Sequence, residues 1–508
     1  MTNRIDPAAA RPGPTRRALL RGVGASAAIA AAGALLPRIV APALAGAAAG
    51  RKRVLVLGAG MAGLTAALAL LRRGHEVTVI EYQDRVGGRV LSLPLGEGMV
   101  SEAGAGHFRA NMPYTLSYIR QFRLPVLSLN DGLPRYTVRG HAANAADLAD
   151  WPWPLSREER QVSVSSNLNR YLYRNGLDTD TVLSARWPGP EQLDRLSDIT
   201  LRELLQNVGA TDAFCDLLDA HGGTFTSGAQ ALGIIPDLAY HFGDQNLFRI
   251  RGGNDRLPQA LAGAIGPQRI HLGDPVAAID QDGALVRVTT RSGAEFAGDA
   301  AISTIPFSVM GEVAVTPAWS AGKAALIAGI DWDQSVKVVV KARTPSWLAH
   351  GVHGWPMAGG DRRWERIVDI TGNAPFSYGN AFFYMNGGNA AAYREGPRQT
   401  RAQDLFADFQ ADMPGLIDEA VSLQEFDWKA QPWIRGSFGS TPLGGAWMVR
   451  EWAKPEGRLH FAGDFVTLKT GWVEGAIESG LRAARQIDPE APAEGHPWIR
   501  QELPAAAE

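Results

Sequence analysis

Three glycines and one acidic residue carry the clearest chemical signal in the chain. Gly58, Gly60 and Gly63 form the pattern Gly-x-Gly-x-x-Gly, and Glu81 follows 18 residues after the last glycine. The first glycine of this pattern permits a tight turn, the second lets backbone approach a pyrophosphate, and the third lets a helix pack closely on a strand. An acid at this distance accepts a hydrogen bond from a ribose hydroxyl. The spacing predicts a dinucleotide-binding unit.

The segments around these glycines are the ones that such a unit needs. Residues 54–57 form an apolar run that predicts a buried parallel strand, and the stretch from Met61 predicts a helix. Met61 and Ala62 then lie in the first helical turn, whose N–H groups favour a phosphate. Residues 77–80 predict a second strand, which ends at Glu81. A glycine-rich turn of another α/β protein is the alternative, but the complete order of elements argues against it.

Three further motifs accompany the first unit. Residues 85–89 read Arg-Val-Gly-Gly-Arg, an extension that nicotinamide-binding units do not usually carry. Residues 104–106 are Gly-Ala-Gly, which lets backbone pass close to a flat group. Residues 458–464 predict a strand that ends in Gly-Asp, and residues 471–484 predict a helix with small residues on one face. These motifs indicate more than a nicotinamide-binding domain.

Together the motifs resemble those of the flavin amine oxidase superfamily, which includes monoamine, polyamine and L-amino-acid oxidases and tryptophan monooxygenases. The similarity is close over residues 51–109 and 455–488 and is limited to landmarks between them. It implies an α/β fold in which a discontinuous, Rossmann-like FAD-binding domain of the GR2 type is joined to an α+β substrate domain formed by insertions. The cofactor that it implies is FAD.

The resemblance assigns cofactor-binding roles to residues along the whole chain. It implies that residues 88–89 lie along the FAD pyrophosphate, that residues 104–106 pass the isoalloxazine ring, and that backbone at Val276 contacts adenine. Asp464 would bind the ribityl chain or be bridged to phosphate, and the helix from Trp472 would direct its positive end toward the flavin. The predicted cofactor-binding residues are Gly58, Gly60, Met61, Ala62, Gly63, Glu81, Gly88, Arg89, Gly104, Ala105, Gly106, Val276, Gly463, Asp464, Trp472 and Val473.

The same comparison predicts a chain divided into interleaved pieces. Residues 111–246 are rich in tryptophan and tyrosine and mostly helical in period, which indicates an insertion. The predicted FAD-binding domain comprises residues 51–110, 247–310 and 450–490, and the predicted substrate domain comprises residues 111–246 and 311–449. Residues 1–50 are assigned to a signal peptide and linker, and residues 491–508 to a C-terminal tail.

Two lysines lie in a valine-rich run. Lys337 and Lys341 share one face of a predicted strand, and the pattern favours a solvated face for both because a buried lysine is costly. The resemblance reverses this expectation for Lys337, which matches a lysine that hydrogen-bonds a water at flavin N5. It also implies two aromatic walls beside the ring, which Trp472 and Phe438 match.

The chemistry implied by the resemblance is hydride transfer from the carbon beside an uncharged amine to flavin N5. The resulting imine hydrolyses, and molecular oxygen reoxidises the flavin with release of hydrogen peroxide. The substrate is a primary or secondary amine or an L-amino acid. A flavin dehydrogenase or desaturase that uses another acceptor or acts on a C–C bond is the alternative, and a non-catalytic flavin-binding protein is a third.

The chain departs from the superfamily at the position that would bind a substrate carboxylate. The L-amino-acid oxidases place an arginine where this chain has His107, and Arg109 follows two residues later. Either Arg109 takes that role or the substrate lacks an α-carboxylate, and both residues count as catalytic candidates. Ser437 stands where some monoamine oxidases link FAD through a cysteine, so we expect non-covalent FAD.

The composition excludes several classes of protein. Hydrophobic residues make up 45% and charged residues 20% of the 508 residues, which is typical of a soluble globular protein with an ample core. The net charge of −2 offers no electrostatic footprint for nucleic acid. Cys215 is the one cysteine, so no intrachain disulfide can form, and a small buried hydrophobe is expected there. No metal site is predicted, and a homodimer is left open.

The N-terminus has the features of an export signal. Arg16 and Arg17 precede an uncharged run over residues 22–36, and small residues follow at 41–45. Paired arginines before such a run resemble a twin-arginine signal, which would carry the folded protein to the periplasm or out of the cell. An ordinary secretion signal or a disordered tail is the alternative. The run is too short and too weakly apolar for a stable membrane span.

Overall fold

The structure is a computed structural model that describes residues 50–129, 134–184, 187–223, 226–243, 246–347, 356–358, 362–372 and 378–491. The predicted export signal and all but the first residue of the predicted C-terminal tail lie outside these residues. Within the described ranges, no helix has both the length and the apolar character that crossing a bilayer requires.

Strands and helices follow one another along the described chain. The strands are β1 (Arg53–Leu57), β2 (Glu76–Ile80), β3 (Ser92–Gly96), β4 (Met99–Glu102), β5 (Phe108–Arg109), β6 (Val126–Ser128), β7 (Arg135–Val138), β8 (His141–Asn144), β9 (Leu247–Ile250), β10 (Ile270–His271), β11 (Val276–Asp280), β12 (Val286–Thr290), β13 (Glu295–Gly298), β14 (Ala300–Ser303), β15 (Ala314–Thr316), β16 (Asp331–Trp332), β17 (Val336–Ala342), β18 (Pro356–Met357), β19 (Ile367–Asp369), β20 (Gly379–Met385), β21 (Ala420–Asp427), β22 (Gly439–Ser440) and β23 (Leu459–Phe461). The α-helices are α1 (Met61–Arg72), α2 (Pro113–Gln121), α3 (Val164–Arg174), α4 (Thr179–Leu183), α5 (Pro190–Leu196), α6 (Leu201–Gln206), α7 (Asp212–Gly222), α8 (Ala231–Gly243), α9 (Arg256–Ile265), α10 (Phe307–Met310), α11 (Ala321–Gly329), α12 (Gly387–Glu395), α13 (Arg401–Asp412), α14 (Ala446–Glu451) and α15 (Val473–Ile487).

A five-stranded parallel sheet in the order β10–β2–β1–β14–β23 forms the centre of the nucleotide-binding part. Residues 54–57 of β1 and all of β14 are buried, as expected for strands covered on both faces. The strands come from three separated stretches of the chain, which is what a discontinuous FAD-binding domain requires. The predicted fold class is confirmed.

Two helices pack closely on each other beside this sheet. Helix α1 buries every residue from Met61 to Leu70, and α15 lies against it. A Cβ added at Gly480 in α15 would lie 2.3 Å from the carbonyl oxygen of Ala62. The glycine therefore permits an approach that any larger residue would prevent, and it joins the last segment of the chain to the first.

An antiparallel sheet in the order β19–β20–β17–β21 forms the second lobe. All seven residues of β17 are buried because both faces of the strand are covered. Val338 and Val340 pack with Phe406 and Phe409 on one face, while Val339 on the other belongs to a cluster with residues of the hairpin β3–β4. The lysine-bearing face of β17 is therefore turned toward the nucleotide-binding part.

Helices α3 to α8 form the stretch of the chain between β8 and β9. Cys215 is buried in α7, and burial raises the pKa of its thiol to about 12. A thiol with this pKa stays protonated at neutral pH, so the prediction of a buried, unreactive cysteine is confirmed.

Candidate active site

A cavity of about 920 Å³ lies at the carboxyl ends of the parallel strands. Glu81 follows β2, Thr304 follows β14, and Gly463 and Asp464 follow β23, and all four residues line the cavity. Open α/β sheets bind their ligands at this edge because the loops there are free to diverge. The cavity continues past residues 104–106 to the lysine-bearing face of β17.

The first glycine turn has the geometry that a phosphate cradle needs. Gly58 has φ +112°, and a Cβ there would lie 2.2 Å from Oγ1 of Thr304. A Cβ at Gly63 would lie 2.0 Å from the carbonyl oxygen of Gly58, whereas one at Gly60 would meet no protein atom within 4 Å. Gly60 therefore borders open space in the cavity wall, next to the first turn of α1 and its N–H groups without intrahelical acceptors.

Glu81 is buried against this turn. One carboxylate oxygen accepts from the N–H of Ala59 at 2.6 Å and the other from the N–H of Gln83 at 3.0 Å. Burial raises the pKa of Glu81, although these backbone donors oppose the rise. A carboxylate has about four acceptor sites, so two bonds leave it able to receive a ribose hydroxyl.

Arg89 and Asp464 join the first and last nucleotide-binding segments. Nη1 of Arg89 donates to Oδ2 of Asp464 at 2.9 Å and to the carbonyl oxygen of Ser437 at 2.6 Å, and a second contact joins Nη2 to Oδ1. The N–H of Gly471 also donates to Asp464 at 3.0 Å. This ion pair holds the loop that contains Gly88 against the start of α15.

Lys337 lies at the 104–106 loop, and its side chain is only 5% exposed. Its Nζ donates to the carbonyl oxygens of Gly104 at 2.6 Å and Glu102 at 3.3 Å, and it lies 4.0 Å from the ring centroid of Phe382. Burial lowers the pKa of Lys337 to about 7, partly offset by Glu102. The amine is therefore able to change its protonation state near neutral pH.

The strand pattern favoured a solvated face for both lysines, and this expectation is wrong for both. The resemblance, which reversed it for Lys337, is right that this lysine does not lie in solvent. Lys341 is also 5% exposed, and its Nζ donates to the carbonyl oxygen of Leu95 at 3.2 Å. The hairpin β3–β4 covers this face of β17, and the lysines offset the loss of water by bonding its carbonyl groups. Lys341, unlike Lys337, does not line the cavity.

Aromatic rings enclose the end of the cavity beyond the 104–106 loop. The indole of Trp472 donates to Oδ1 of Asp237 at 2.7 Å and lies 5.8 Å from the ring of His107 and 5.1 Å from that of His241. Phe438 lines the same wall, within 3.5 Å of the position a Cβ at Gly471 would take. Both predicted aromatic walls therefore lie at this end.

The structure brings most of the predicted site residues to this one cavity. Gly63 and Arg109 do not line it, Gly63 because it packs between helix and turn. His107 lines the cavity, and burial lowers its pKa well below the usual value. The predicted residues that line it are Gly58, Gly60, Met61, Ala62, Glu81, Gly88, Arg89, Gly104, Ala105, Gly106, His107, Val276, Lys337, Phe438, Gly463, Asp464, Trp472 and Val473.

Sequence reasoning missed several polar residues that line this cavity, among them Asp237, His241, Arg366 and Tyr384. Tyr384 lies directly opposite Lys337 in the pairing of β17 with β20, which a prediction of strand register would have found. Arg366 lies just before β19 in a stretch without a motif, and Asp237 and His241 lie within α8. No local pattern marks these three residues.

The described residues fit FAD. The glycine turn leaves open space at Gly60, Glu81 keeps acceptor capacity, and the cavity joins both to the 104–106 loop and Lys337. No cysteine lines the cavity along the described chain, so a thioether link has no partner there. The fold and the cavity together define a flavoprotein with a nucleotide-binding lobe and a substrate lobe.

Comparisons with known proteins narrow this class. Residues 61–488 match the family described as flavin containing amine oxidoreductase. The chain is 30% identical over 476 residues to the flavin-dependent L-tryptophan oxidase RebO of Lentzea aerocolonigenes, covering 86% of this chain and 98% of that protein. It is 26% identical over 468 residues to an L-amino-acid oxidase of Pseudechis australis, covering 86% and 87%.

Solved structures agree on the fold. A putrescine oxidase bound to putrescine superimposes with a TM-score of 0.75 at 22% identity, covering 87% of this chain and 99% of that one. Cyclohexylamine oxidase from Brevibacterium oxydans IH-35A gives a TM-score of 0.73 at 21% identity, with coverage of 87% and 99%. The chain belongs to the flavin-containing amine oxidoreductase family, and it is an FAD-dependent amine oxidoreductase that acts on small molecules.

Proposed function

We propose that this protein is an oxidase that converts a small primary or secondary amine or an L-amino acid to an imine, with molecular oxygen as the final acceptor. The observation that carries the proposal is the position of Lys337. Its amine is bonded to Gly104 at 2.6 Å, beside a loop of three small residues that lines the cavity. In the family this is where a lysine serves the reactive edge of the flavin.

The atoms and electrons of the reaction balance with the substrate, water, FAD and molecular oxygen. The substrate loses two electrons and two protons, and water hydrolyses the imine to a carbonyl compound and ammonia or a smaller amine. FAD, when bound, accepts the hydride from the substrate carbon and passes the electrons on. Oxygen takes up two electrons and two protons as hydrogen peroxide.

The surroundings suit an uncharged amine. Trp472 and Phe438 line the cavity. Nζ of Lys337 lies 4.0 Å from the ring centroid of Phe382 and 5.1 Å from that of Tyr384. Aromatic surroundings disfavour the charged ammonium form of a substrate, which lowers its pKa toward the neutral form that loses a hydride. A Lys337 amine with a pKa of about 7 can accept a proton directly or through water.

Anaerobic mixing with amines and L-amino acids tests the proposal. We expect the flavin absorbance to bleach with some members of the panel and to return when air is admitted, with one peroxide formed per flavin reoxidised. Bleaching without rapid reoxidation by air would assign the protein to the dehydrogenases and overturn the choice of oxygen. Failure of every amine and amino acid to bleach the flavin would overturn amine oxidation itself.

Export through a twin-arginine pathway is proposed from the N-terminal sequence. The support is the pair Arg16 and Arg17 before the uncharged run over residues 22–36. A reporter protein that is active only after export in the folded state is fused to residues 1–50. We expect the fusion to leave the cytoplasm, and we expect it to stay in the cytoplasm when both arginines are replaced by lysine. A homodimer stays open, and sedimentation velocity would test it.

A further inference from the structure

Arg366 is a charged side chain at the end of the cavity beyond the 104–106 loop, which we call the substrate end. It directly precedes β19 and lines the cavity together with Tyr384 and Asn386. The residue is 5% exposed, so its guanidinium is largely removed from solvent.

The protein satisfies this guanidinium incompletely. Nη1 donates to the carbonyl oxygen of His221 at 3.3 Å, and the guanidinium carbon lies 4.5 Å from the ring centroid of Tyr384. When the Asn386 amide takes the orientation that satisfies both its oxygen and its nitrogen, its oxygen accepts from Nη2 of Arg366 at 2.7 Å. Nε has no hydrogen-bond partner among the residues that the structure describes. All of these partners are neutral.

The acidic side chains in this part of the structure are held by other donors. Asp237 accepts from the indole of Trp472 at 2.7 Å, Asp333 accepts from Oγ of Ser335 at 2.7 Å, and Glu365 accepts from the N–H of Asn386 at 2.7 Å. Within the described ranges, no carboxylate oxygen lies within 4.0 Å of the Arg366 guanidinium nitrogens. From a longer distance, the charge of Arg366 opposes the burial that raises the pKa of Glu365, and with His241 it lowers the pKa of Asp237 against the effect of burial. A buried cation without a direct ion pair is still costly, and an anion in the cavity would complete the site.

The other basic groups of this cavity are poor candidates for binding an anion. Arg89 is paired with Asp464, and Nδ1 of His241 lies 3.4 Å from a carboxylate oxygen of Asp237. Burial lowers the pKa of His107 well below its usual value and that of Lys337 to about 7, and the charge of Arg366 adds to both effects. Arg366 is thus near both residues and is the fixed positive charge at this end of the cavity.

We propose that Arg366 binds the carboxylate of the substrate, so that the protein oxidises α-amino acids in preference to plain amines. The fork of the guanidinium matches a carboxylate, and the orphaned Nε is one of its donors. This arginine comes from the strand end before β19 and not from the loop that carries His107. The inference rests on the proposed function for its substrate, but the carboxylate site itself can be measured without turnover.

Two probes separate carboxylate binding from catalysis. Benzoate, which carries a carboxylate and no oxidisable amine, is titrated into the FAD-loaded protein while the flavin spectrum is recorded. Anaerobic flavin bleaching is then measured with three matched pairs: phenylalanine and 2-phenylethylamine, tryptophan and tryptamine, lysine and cadaverine. We expect wild-type protein to bind benzoate and to be bleached by at least one amino acid far faster than by its decarboxylated partner.

The Arg366→Met variant should weaken benzoate binding about 100-fold and raise the amino-acid concentration for half-maximal bleaching by a similar factor. Bleaching by the decarboxylated amine should change much less than bleaching by the amino acid, because loss of the Arg366 charge reaches the amine only through Lys337, and general damage would not produce this difference. Arg366→Lys should restore part of the affinity because it keeps the charge without the fork. Arg343→Met removes an exposed arginine of the same lobe, paired with Glu419, and should match wild type.

Several results would overturn the inference. One is that wild-type protein binds neither benzoate nor any amino acid of the panel. Another is that both members of every pair bleach the flavin equally fast. A third is that Arg366→Met binds benzoate with unchanged affinity. Loss of benzoate binding in Arg109→Met with full binding in Arg366→Met would assign the site to Arg109. If Arg366→Met does not fold, Arg366→Gln carries the same comparison. Benzoate binding that depends on Arg366, without bleaching by any substrate, would refute the proposed function and leave the carboxylate site standing.

Discussion

The two ends of the cavity are built in different ways. The nucleotide end consists of backbone turns and residues close together in sequence, such as Gly58, Gly60 and Glu81. The substrate end gathers single side chains from separate elements, including Asp237 on α8, Lys337 on β17 and Arg366 before β19. The first end therefore depends on local backbone geometry, and the second depends on how distant elements pack. Substitutions at the two ends should fail in different ways.

The largest effect should follow from closing the glycine turn at the nucleotide end. In Gly58→Ala the added Cβ would lie 2.2 Å from Oγ1 of Thr304 at a φ of +112°. We expect a loss of about 2–4 kcal/mol in unfolding free energy and little retained FAD, measured by denaturant unfolding and by the flavin-to-protein absorbance ratio. Gly263→Ala is the control, since a Cβ on that helical glycine meets no atom within 4 Å. Equal FAD content in the two variants would refute a tight turn.

A substitution at the substrate end should spare the fold and slow the chemistry. In Lys337→Met we expect bound FAD to remain and flavin reduction or reoxidation to slow about 100-fold or more, because a positioned proton acceptor is lost. Stopped-flow absorbance measures both rates. Lys341→Met is the matched control, being equally buried on the same strand face but outside the cavity. Similar slowing in the two variants would show that a general change in β17 is responsible.

The pH dependence sharpens the contrast further. Burial lowers the pKa of Lys337 to about 7, so the amine is mostly charged at pH 6 and mostly neutral at pH 8. We expect the rate of flavin reduction to increase about tenfold per pH unit below pH 7 and to level off above it. This rising limb of the pH–rate profile should vanish in Lys337→Met. A limb that persists unchanged in the variant would assign it to the substrate amine.

The smallest effect should come from the acid at the nucleotide end. Glu81→Ala removes the acceptor for the ribose and for the N–H groups of Ala59 and Gln83, but it adds no clash to the glycine turn, so we expect FAD affinity to fall about tenfold. Fluorescence titration of the apoprotein with FAD measures it, and the reduction rate of fully loaded protein should stay near wild type. A variant with wild-type affinity would contradict the ribose contact.

The nucleotide end could be predicted from sequence because its geometry is local. The spacing of Gly58, Gly60 and Gly63 between two apolar runs specifies a strand, a turn and a helix, and the structure has all three. The resemblance added the distant segments 104–106 and 463–473, which line the same cavity. Pattern alone placed Lys337 and Lys341 in solvent, since a strand's period shows which residues share a face but not what covers that face.

The spacing of glycine, apolar and acidic residues indicated a dinucleotide-binding unit because that geometry is local, and the resemblance carried by the further motifs added the fold class, FAD and the family. The packing of distant elements sets which charged groups line the cavity beyond the 104–106 loop. Arg366 lies in no motif, and His107, at the position of the expected arginine, is buried with a lowered pKa. Burial and pairing are properties of the packed molecule, because the free energy of a charge depends on every element that excludes water from it.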